Sequence, residues 1–276
     1  MDLYTRNAID VSKKTTRNYS TSFSLGVRIL GKQYRDPIYA IYGFVRFADE
    51  IVDTFHGHDQ KAMFSKFKDE TYEAIERRIS SNPILHSFQW AVNLYQIDHD
   101  LIHSFLESME MDLYHKDYSK SRLEKYIYGS AEVVGLMCLR VFTAQNNGYI
   151  DRMYYARKLG EAFQKVNFLR DIRSDFIEKG RTYFPGADFE NFNNEIKKKI
   201  EEDIQHDFDE ALKGVKMLEP DSRLGVYLAY KYYLSLFRRI RHTDASEILK
   251  KRFRVPDRVK LWLLVTSYIK FKLGFI

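Results

Sequence analysis

The stretch from Gln164 to Pro185, QKVNFLRDIRSDFIEKGRTYFP, sets two aspartates four residues apart inside an apolar, aromatic helical pattern. At about 100° of rotation per residue, Gln164, Asn167, Asp171 and Asp175 fall within about 80° of one another. They form a continuous polar stripe. Like charges at this spacing repel on an isolated helix, so keeping both calls for a cation between them. Magnesium suits the pattern, since it takes one or two carboxylates, keeps several waters and completes its shell with phosphate oxygens.

The same device occurs upstream in YGFVRFADEIVDTF, where Asp49 and Asp53 are again four apart. With Tyr42 and Arg46 they make a stripe about 60° wide, while Ile41, Phe44, Val45, Ala48, Ile51, Val52 and Phe55 cover the opposite side. Two such helices facing each other across a cavity would hold divalent ions able to bind a diphosphate.

The two motifs, DEIVD and NFLRDIRSD, are preceded by YSTSF and YIYGSAEVVGLM and followed by GRTYFP. In motif order and spacing the chain, from about Tyr19 to its last helix, resembles the squalene and phytoene synthase family. That resemblance implies an all-α, isoprenoid-synthase-type helical bundle around a central apolar cavity. It also implies magnesium, with manganese as a substitute, held by Asp49, Asp53, Asp171 and Asp175. Arg46, Arg170 and Arg181 would neutralise diphosphate, although Arg170 points away from the aspartate stripe on an ideal helix. Gln164 and Asn167 would orient ions or substrate, with Tyr42, Tyr126 and Tyr183 near the leaving group and Asp112 in support. Ser20, Ser22 and Phe23 would lie at the diphosphate end; helix capping is the other reading of those serines.

The chemistry so implied is ionisation of an allylic diphosphate, followed by capture of the carbocation by a second prenyl chain in a pocket that excludes water. The expected reaction is condensation of two geranylgeranyl diphosphates to phytoene, without NADPH. The alternatives are dehydrosqualene or squalene formation from farnesyl diphosphate, or a non-catalytic helical interaction protein. Small Gly26 and Val27, with Tyr39 beyond them, would form a deep pocket floor suited to the longer chain. Glu132, Arg173 and Ser174 depart from the family pattern, as does one extra residue between Asp175 and Arg181. Glu132 is thereby expected to alter the shape or charge of the pocket.

Composition agrees with one helical domain over 1–276. Five prolines, 13 glycines and no linker-like segment leave nothing to divide the chain, and a 45% hydrophobic fraction is ample for a core. The 20 Phe and 20 Tyr exceed what a plain bundle needs, so some are expected at an apolar cavity. A net charge of +6 favours anionic partners such as diphosphates and acidic lipids, and no nucleic-acid motif is present. The lone Cys138 sits in an apolar run and reads as a small buried hydrophobe. His56 and His58 read as a solvated loop. With neither a signal-type apolar segment nor an apolar run of spanning length, the expected location is cytoplasmic, at most peripheral on the inner membrane face, with downstream carotenoid enzymes as neighbours.

Helical patterns are expected over 3–18, 61–79, 84–95, 98–112, 122–146, 190–217, 221–242 and 256–273, with Lys251, Arg252 and Arg254 as a basic patch before the last. In 122–146, Gly129, Ser130, Ala131 and Gly135 either make room for a ligand or allow close helix packing. The last helix, with Lys260, Lys270 and Lys272 around Trp262, Leu263, Leu264 and Ile269, reads as a final core helix or as an interfacial one.

Overall fold

The computed structural model describes residues 1–114, 119–173, 192–250 and 252–276. The expectations placed on Ser174, Asp175, Arg181, Tyr183, Pro185 and Lys251 therefore lie outside the described residues. Among those described there is no strand. The first half runs α1 Leu3–Tyr19, α2 Thr21–Ile29, α3 Lys32–Asp53, α4 Gln60–Arg77, α5 Pro83–Tyr95, α6 His99–Tyr114 and α7 Lys120–Ile127. A π-helical turn, Tyr128–Glu132, leads into α8 Val133–Phe142. The second half comprises α9 Tyr149–Arg173, α10 Asn194–Met217, α11 Pro220–Arg241, the short α12 Ala245–Ile248 and α13 Asp257–Lys272.

Local chemistry sets many of these boundaries. Asp2, Ser20, Asp59, Asn82, Ser119, Asn193 and Asp244 each accept a backbone N–H of the following first turn. Helices α4 and α5 end at Arg78 and Gln96 in the left-handed region, at φ 59° and 50°. Pro37 lies inside α3 and lacks an N–H for the carbonyl of Gln33. That carbonyl accepts the Tyr95 hydroxyl instead, at 3.4 Å.

Two apolar cores result. The first joins α3, α4, α5, α6 and α8 around Phe44, which stacks on Phe88 at 3.7 Å between ring centroids and also meets Phe67 and Phe105. The second joins α9, α10, α11 and α12 around Phe208, Phe237 and Ile240. Ordinary packing thus absorbs much of the aromatic content. A cavity of ≈ 400 Å³ takes its walls from both cores: α2, α3, the π-turn and α8 on one side, α9, α10 and α11 on the other.

The small residues of the YIYGSAEVVGLM segment divide between their two readings. A Cβ on Gly129 would come within 2.3 Å of the Ser104 carbonyl, so this glycine permits the close approach of α6. Ser130, Ala131 and Gly135 line the cavity. Because the π-turn adds a residue to the helical register, Glu132 is turned away from the cavity. It is buried against Arg157, whose Nε donates to it at 2.6 Å, so the expectation that Glu132 reshapes the pocket does not hold. The reading of α13 as a final core helix is also overturned, since only its Leu263 and Ser267 are buried.

Candidate functional site

Helix α9 supplies the longest wall. Arg152, Tyr155, Ala156, Leu159, Gly160, Phe163, Gln164, Asn167 and Arg170 all face the cavity, spaced three and four apart as one side of a helix requires. The wall is apolar from Tyr155 to Phe163 and polar from Gln164 to Arg170. At the far end Arg152 is spent on carbonyls, donating to Met217 at 3.0 Å and to Gly148 at 2.8 Å.

The polar end collects several of the residues singled out in the sequence. Ser20, Ser22, Phe23 and Tyr42 line it opposite Gln164, Asn167 and Arg170. Ser20 also serves as a cap, accepting the Phe23 N–H at 3.2 Å, so its two readings coexist. Phe23 stacks on Tyr42 at 4.6 Å. Burial pushes the Tyr42 hydroxyl up to about 12, despite the opposing charge of Arg46. Tyr42 therefore acts here as a neutral hydrogen-bonding phenol. Two polar atoms, Asn167 Oδ1 and Ser130 Oγ, are buried at this cavity without a hydrogen-bond partner. Such atoms are rare in a finished interior, and they suit a site that receives a polar ligand.

Arg170 reaches Asp171 in spite of its position on an ideal helix, its Nε lying 3.1 and 3.0 Å from the two carboxylate oxygens. Arg252 meets the same carboxylate from the segment before α13, at 2.7 Å. Burial alone would raise the Asp171 pKa, but these two guanidinium groups outweigh it and hold the carboxyl below its ordinary value. On α3, Arg46 pairs with Asp49 at 2.6 Å and with Glu50, and its guanidinium lies 4.4 Å from the centre of the Tyr19 ring. Arg46 is thus held by carboxylates rather than exposed on the cavity wall.

Other sequence expectations are relocated. Tyr126 lies off the cavity, donating its hydroxyl to Asp112 at 2.9 Å and packing on Phe168. It belongs to a small apolar cluster with Ile127 and Phe168, and it gives Asp112 the partner that its helix C-terminal position requires. Tyr39 is buried in the core rather than at the cavity floor. Gly26 and Val27 line the cavity, but they lie only one turn beyond Phe23 and belong to its side wall. Arg173 donates to the Lys250 carbonyl at 2.6 Å, at the surface. Cys138 lines the cavity wall, where burial pushes its thiol up to about 12, as suits an inert hydrophobe.

Sequence reasoning passed over Tyr232 and Tyr233. Both line the polar end, where Tyr233 stacks on Phe163 at 3.8 Å. The only available signal was the tyrosine-rich run AYKYY in α11.

Asp49, Asp53, Asp171 and Asn167 offer carboxylate and amide oxygens with no thiolate or imidazole, a donor set that fits magnesium or manganese. Among the described residues no three His, Cys, Asp or Glu side chains form a ligand cage. An ion held by these groups would need oxygens from water and from a bound ligand.

A family model described as squalene/phytoene synthase matches residues 16–259. The chain belongs to the squalene/phytoene synthase family. Among its relatives in this family is a 4,4'-diapophytoene synthase from Staphylococcus haemolyticus, 27% identical over 83% of this chain and 86% of that protein. A 15-cis-phytoene synthase from Synechocystis is 26% identical over 95% of this chain and 85% of that protein. In fold, the squalene/phytoene synthase bundle seen here is similar to the crystal structure of a dehydrosqualene synthase, with a TM-score of 0.83 at 21% identity, covering 97% and 98% of the two chains. It is also similar to a squalene synthase from Alicyclobacillus acidocaldarius, with a TM-score of 0.77 at 20% identity, covering 92% and 98%.

Proposed function

We propose that this member of the family is a phytoene synthase, which condenses two geranylgeranyl diphosphates head to head with release of diphosphate. The observation that carries the choice of chain length is the α9 wall. From Asn167 to Arg152 it runs fifteen residues, or about 22 Å. The sixteen-carbon main chain of a geranylgeranyl group extends about 20 Å and the twelve-carbon chain of farnesyl about 15 Å, given standard bond lengths. The wall as a whole, apolar between Tyr155 and Phe163 and polar at either end, matches the length of the former.

Within this reading, Gln164, Asn167, Arg170 and Tyr42 bind and orient the diphosphate, and Arg46 would join them were Asp49 to hold a metal ion. Magnesium, when bound by Asp49, Asp53, Asp171 and Asp175, would neutralise charge on the departing diphosphate. Phe23, Phe163 and the small residues of α8 keep water from the allylic cation and hold the second chain against it. No redox step is involved, so NADPH has no role.

A second reading, condensation of farnesyl diphosphate to dehydrosqualene, is favoured by the diapophytoene synthase relative. Incubating purified protein with each diphosphate and magnesium, with and without NADPH, separates the two by product mass. Absence of any hydrocarbon from either substrate would point to a non-catalytic interaction protein instead.

Chain length can be tested at Ala156, which faces the cavity eleven residues, or about 16 Å, along α9 from Asn167. A farnesyl chain ends near this point, whereas a geranylgeranyl chain passes it. Ala156→Phe is expected to lower kcat/KM for geranylgeranyl diphosphate about tenfold more than for farnesyl diphosphate. Val27→Phe, on the side wall near the polar end, should instead depress both. An unchanged ratio in Ala156→Phe would show that the α9 wall does not measure the chain.

A further inference from the structure

Helix α13 turns an apolar surface outward. Leu261, Trp262, Val265, Tyr268, Ile269 and Leu273 are each between 49% and 65% exposed. At about 100° per residue they share an arc of about 140°. Six large hydrophobes grouped this way on the outside of a bundle mark a contact surface rather than scattered exposure.

The charges within the arc are of one sign. Arg258 lies within it in the first turn and Lys272 in the last, both exposed, with the exposed Lys270 about 60° beyond its edge. Asp257 is the acid nearest the arc, and it pairs with Lys260 at 3.0 Å. Beyond Lys270, on α11, Lys231 has its pKa lowered by burial and by the charges of Arg238 and Lys270, which places three cations close together. Arg238 in turn lines an open pocket of ≈ 560 Å³ with Arg239, His242, Arg252 and Arg254.

We propose that α13 docks this protein on an anionic lipid surface, with its apolar arc in the headgroup boundary and the surrounding lysines and arginines against lipid phosphates. A Trp and a Tyr among aliphatic residues, with cations at both ends, match what an interfacial helix presents. Among the described residues no helix is long and apolar enough to cross a membrane, so the helix would lie on the surface. A second copy of the chain is the poorer occupant. A two-fold interface would gather Arg258, Lys270 and Lys272 of both copies in one place, with Asp257 as the one acid of α13 beside the arc.

The position of α13 gives the docking a consequence. Lys260 Nζ lies 3.5 Å from Thr21 Oγ1 and 5.9 Å from the centre of the Tyr232 ring. The first turn of α13 therefore adjoins the polar end of the cavity and would bring it to the lipid boundary. That consequence, though not the docking, rests on the proposed function: its substrates are amphiphiles and its product is a hydrocarbon that partitions into lipid.

The test needs no turnover. The full chain is floated with vesicles of phosphatidylcholine alone and of phosphatidylcholine with phosphatidylglycerol, while the emission of its two tryptophans, Trp90 and the exposed Trp262, is followed. Binding is expected only to the anionic vesicles, with a blue shift, and it should weaken as salt rises. Val265→Glu, at a half-exposed position, should keep the unfolding temperature and weaken binding about tenfold or more. No flotation on anionic vesicles at low salt, or equal binding by Val265→Glu, would overturn the proposal. So would a concentration-dependent dimer, lost in Val265→Glu, in a protein that does not float. Conversion of farnesyl rather than geranylgeranyl diphosphate would end the chain-length reading and leave this result standing.

Discussion

Asp171→Asn is expected to lower turnover about 100- to 1000-fold at saturating magnesium, with an unfolding temperature that falls. The activity loss follows from the proposed role, since the amide keeps the shape of the side chain but removes one ligand charge where diphosphate must be neutralised. The stability change has a separate cause. On an isolated helix, removing one of two carboxylates four apart would relieve repulsion and raise stability slightly. In the folded protein Asp171 is held by Arg170 and Arg252, and its loss takes that carboxylate from the half-buried Arg170 guanidinium. Hydrogen bonds to charged groups of this kind contribute about 1.5–3 kcal/mol.

The same pairing fixes how that gap depends on pH. The folded-state pKa of Asp171 lies below its ordinary value of 3.8. The carboxylate's contribution is therefore fully present above 3.8 and is lost as pH falls through the lower, folded value. Melting curves of wild type and Asp171→Asn should converge only in that acid range. Wild-type turnover in Asp171→Asn at saturating magnesium would remove this residue from the metal-binding set.

Much of the fold was legible because helix period and capping residues are local signals. The expected segments 84–95 and 98–112 correspond to Pro83–Tyr95 and His99–Tyr114, with Asn82 marking the first of these starts in the sequence itself. The polar end of the cavity was legible for the same reason: Gln164, Asn167 and Asp171 share one side of α9 by spacing alone. What could not be read depended on contacts between helices. The π-turn at Tyr128–Glu132 rotates every later residue of its segment, which is why Glu132 meets Arg157 rather than the cavity. Tyr126 was assigned by motif, and the hydrogen bond of its hydroxyl to Asp112 crosses the α6–α7 junction, out of reach of any local pattern. Arg252 read as one member of a basic patch, because nothing in RFRVP announces that it folds back onto Asp171.

Lys165→Met is expected to lower the free energy of unfolding by about 3–5 kcal/mol, the usual result of removing one partner from a buried ion pair. Lys165 lies on the side of α9 that faces α10, where its ammonium meets Asp207 at 2.7 Å, Glu161 at 2.7 Å and also Asp203. Lys158 joins the cluster through Asp207 at 2.8 Å and Glu161 at 2.7 Å. Burial works against the Lys165 charge, but Asp207, Glu161 and Asp203 together hold its pKa above the ordinary 10.5. On the alkaline side its contribution is therefore fully present up to 10.5 and is lost as pH rises through the higher, folded value, while on the acid side it goes when the carboxylates protonate, Asp207 first among those that burial raises. Methionine would fill much of the same space while leaving the fully buried Asp207 to Lys158 alone. The double variant Lys165→Met, Asp207→Leu removes both charges and should recover part of the loss, so a double-mutant cycle in denaturant isolates the pair. Function enters through position, since Asn167, Arg170 and Asp171 stand within two turns of Lys165 on the same helix. Where Lys165→Met remains folded, a raised KM is expected from a polar end whose supporting helix is less firmly fixed. A change in unfolding free energy below about 0.5 kcal/mol, the range of ordinary surface substitutions, would show that apolar packing alone holds α9 against α10.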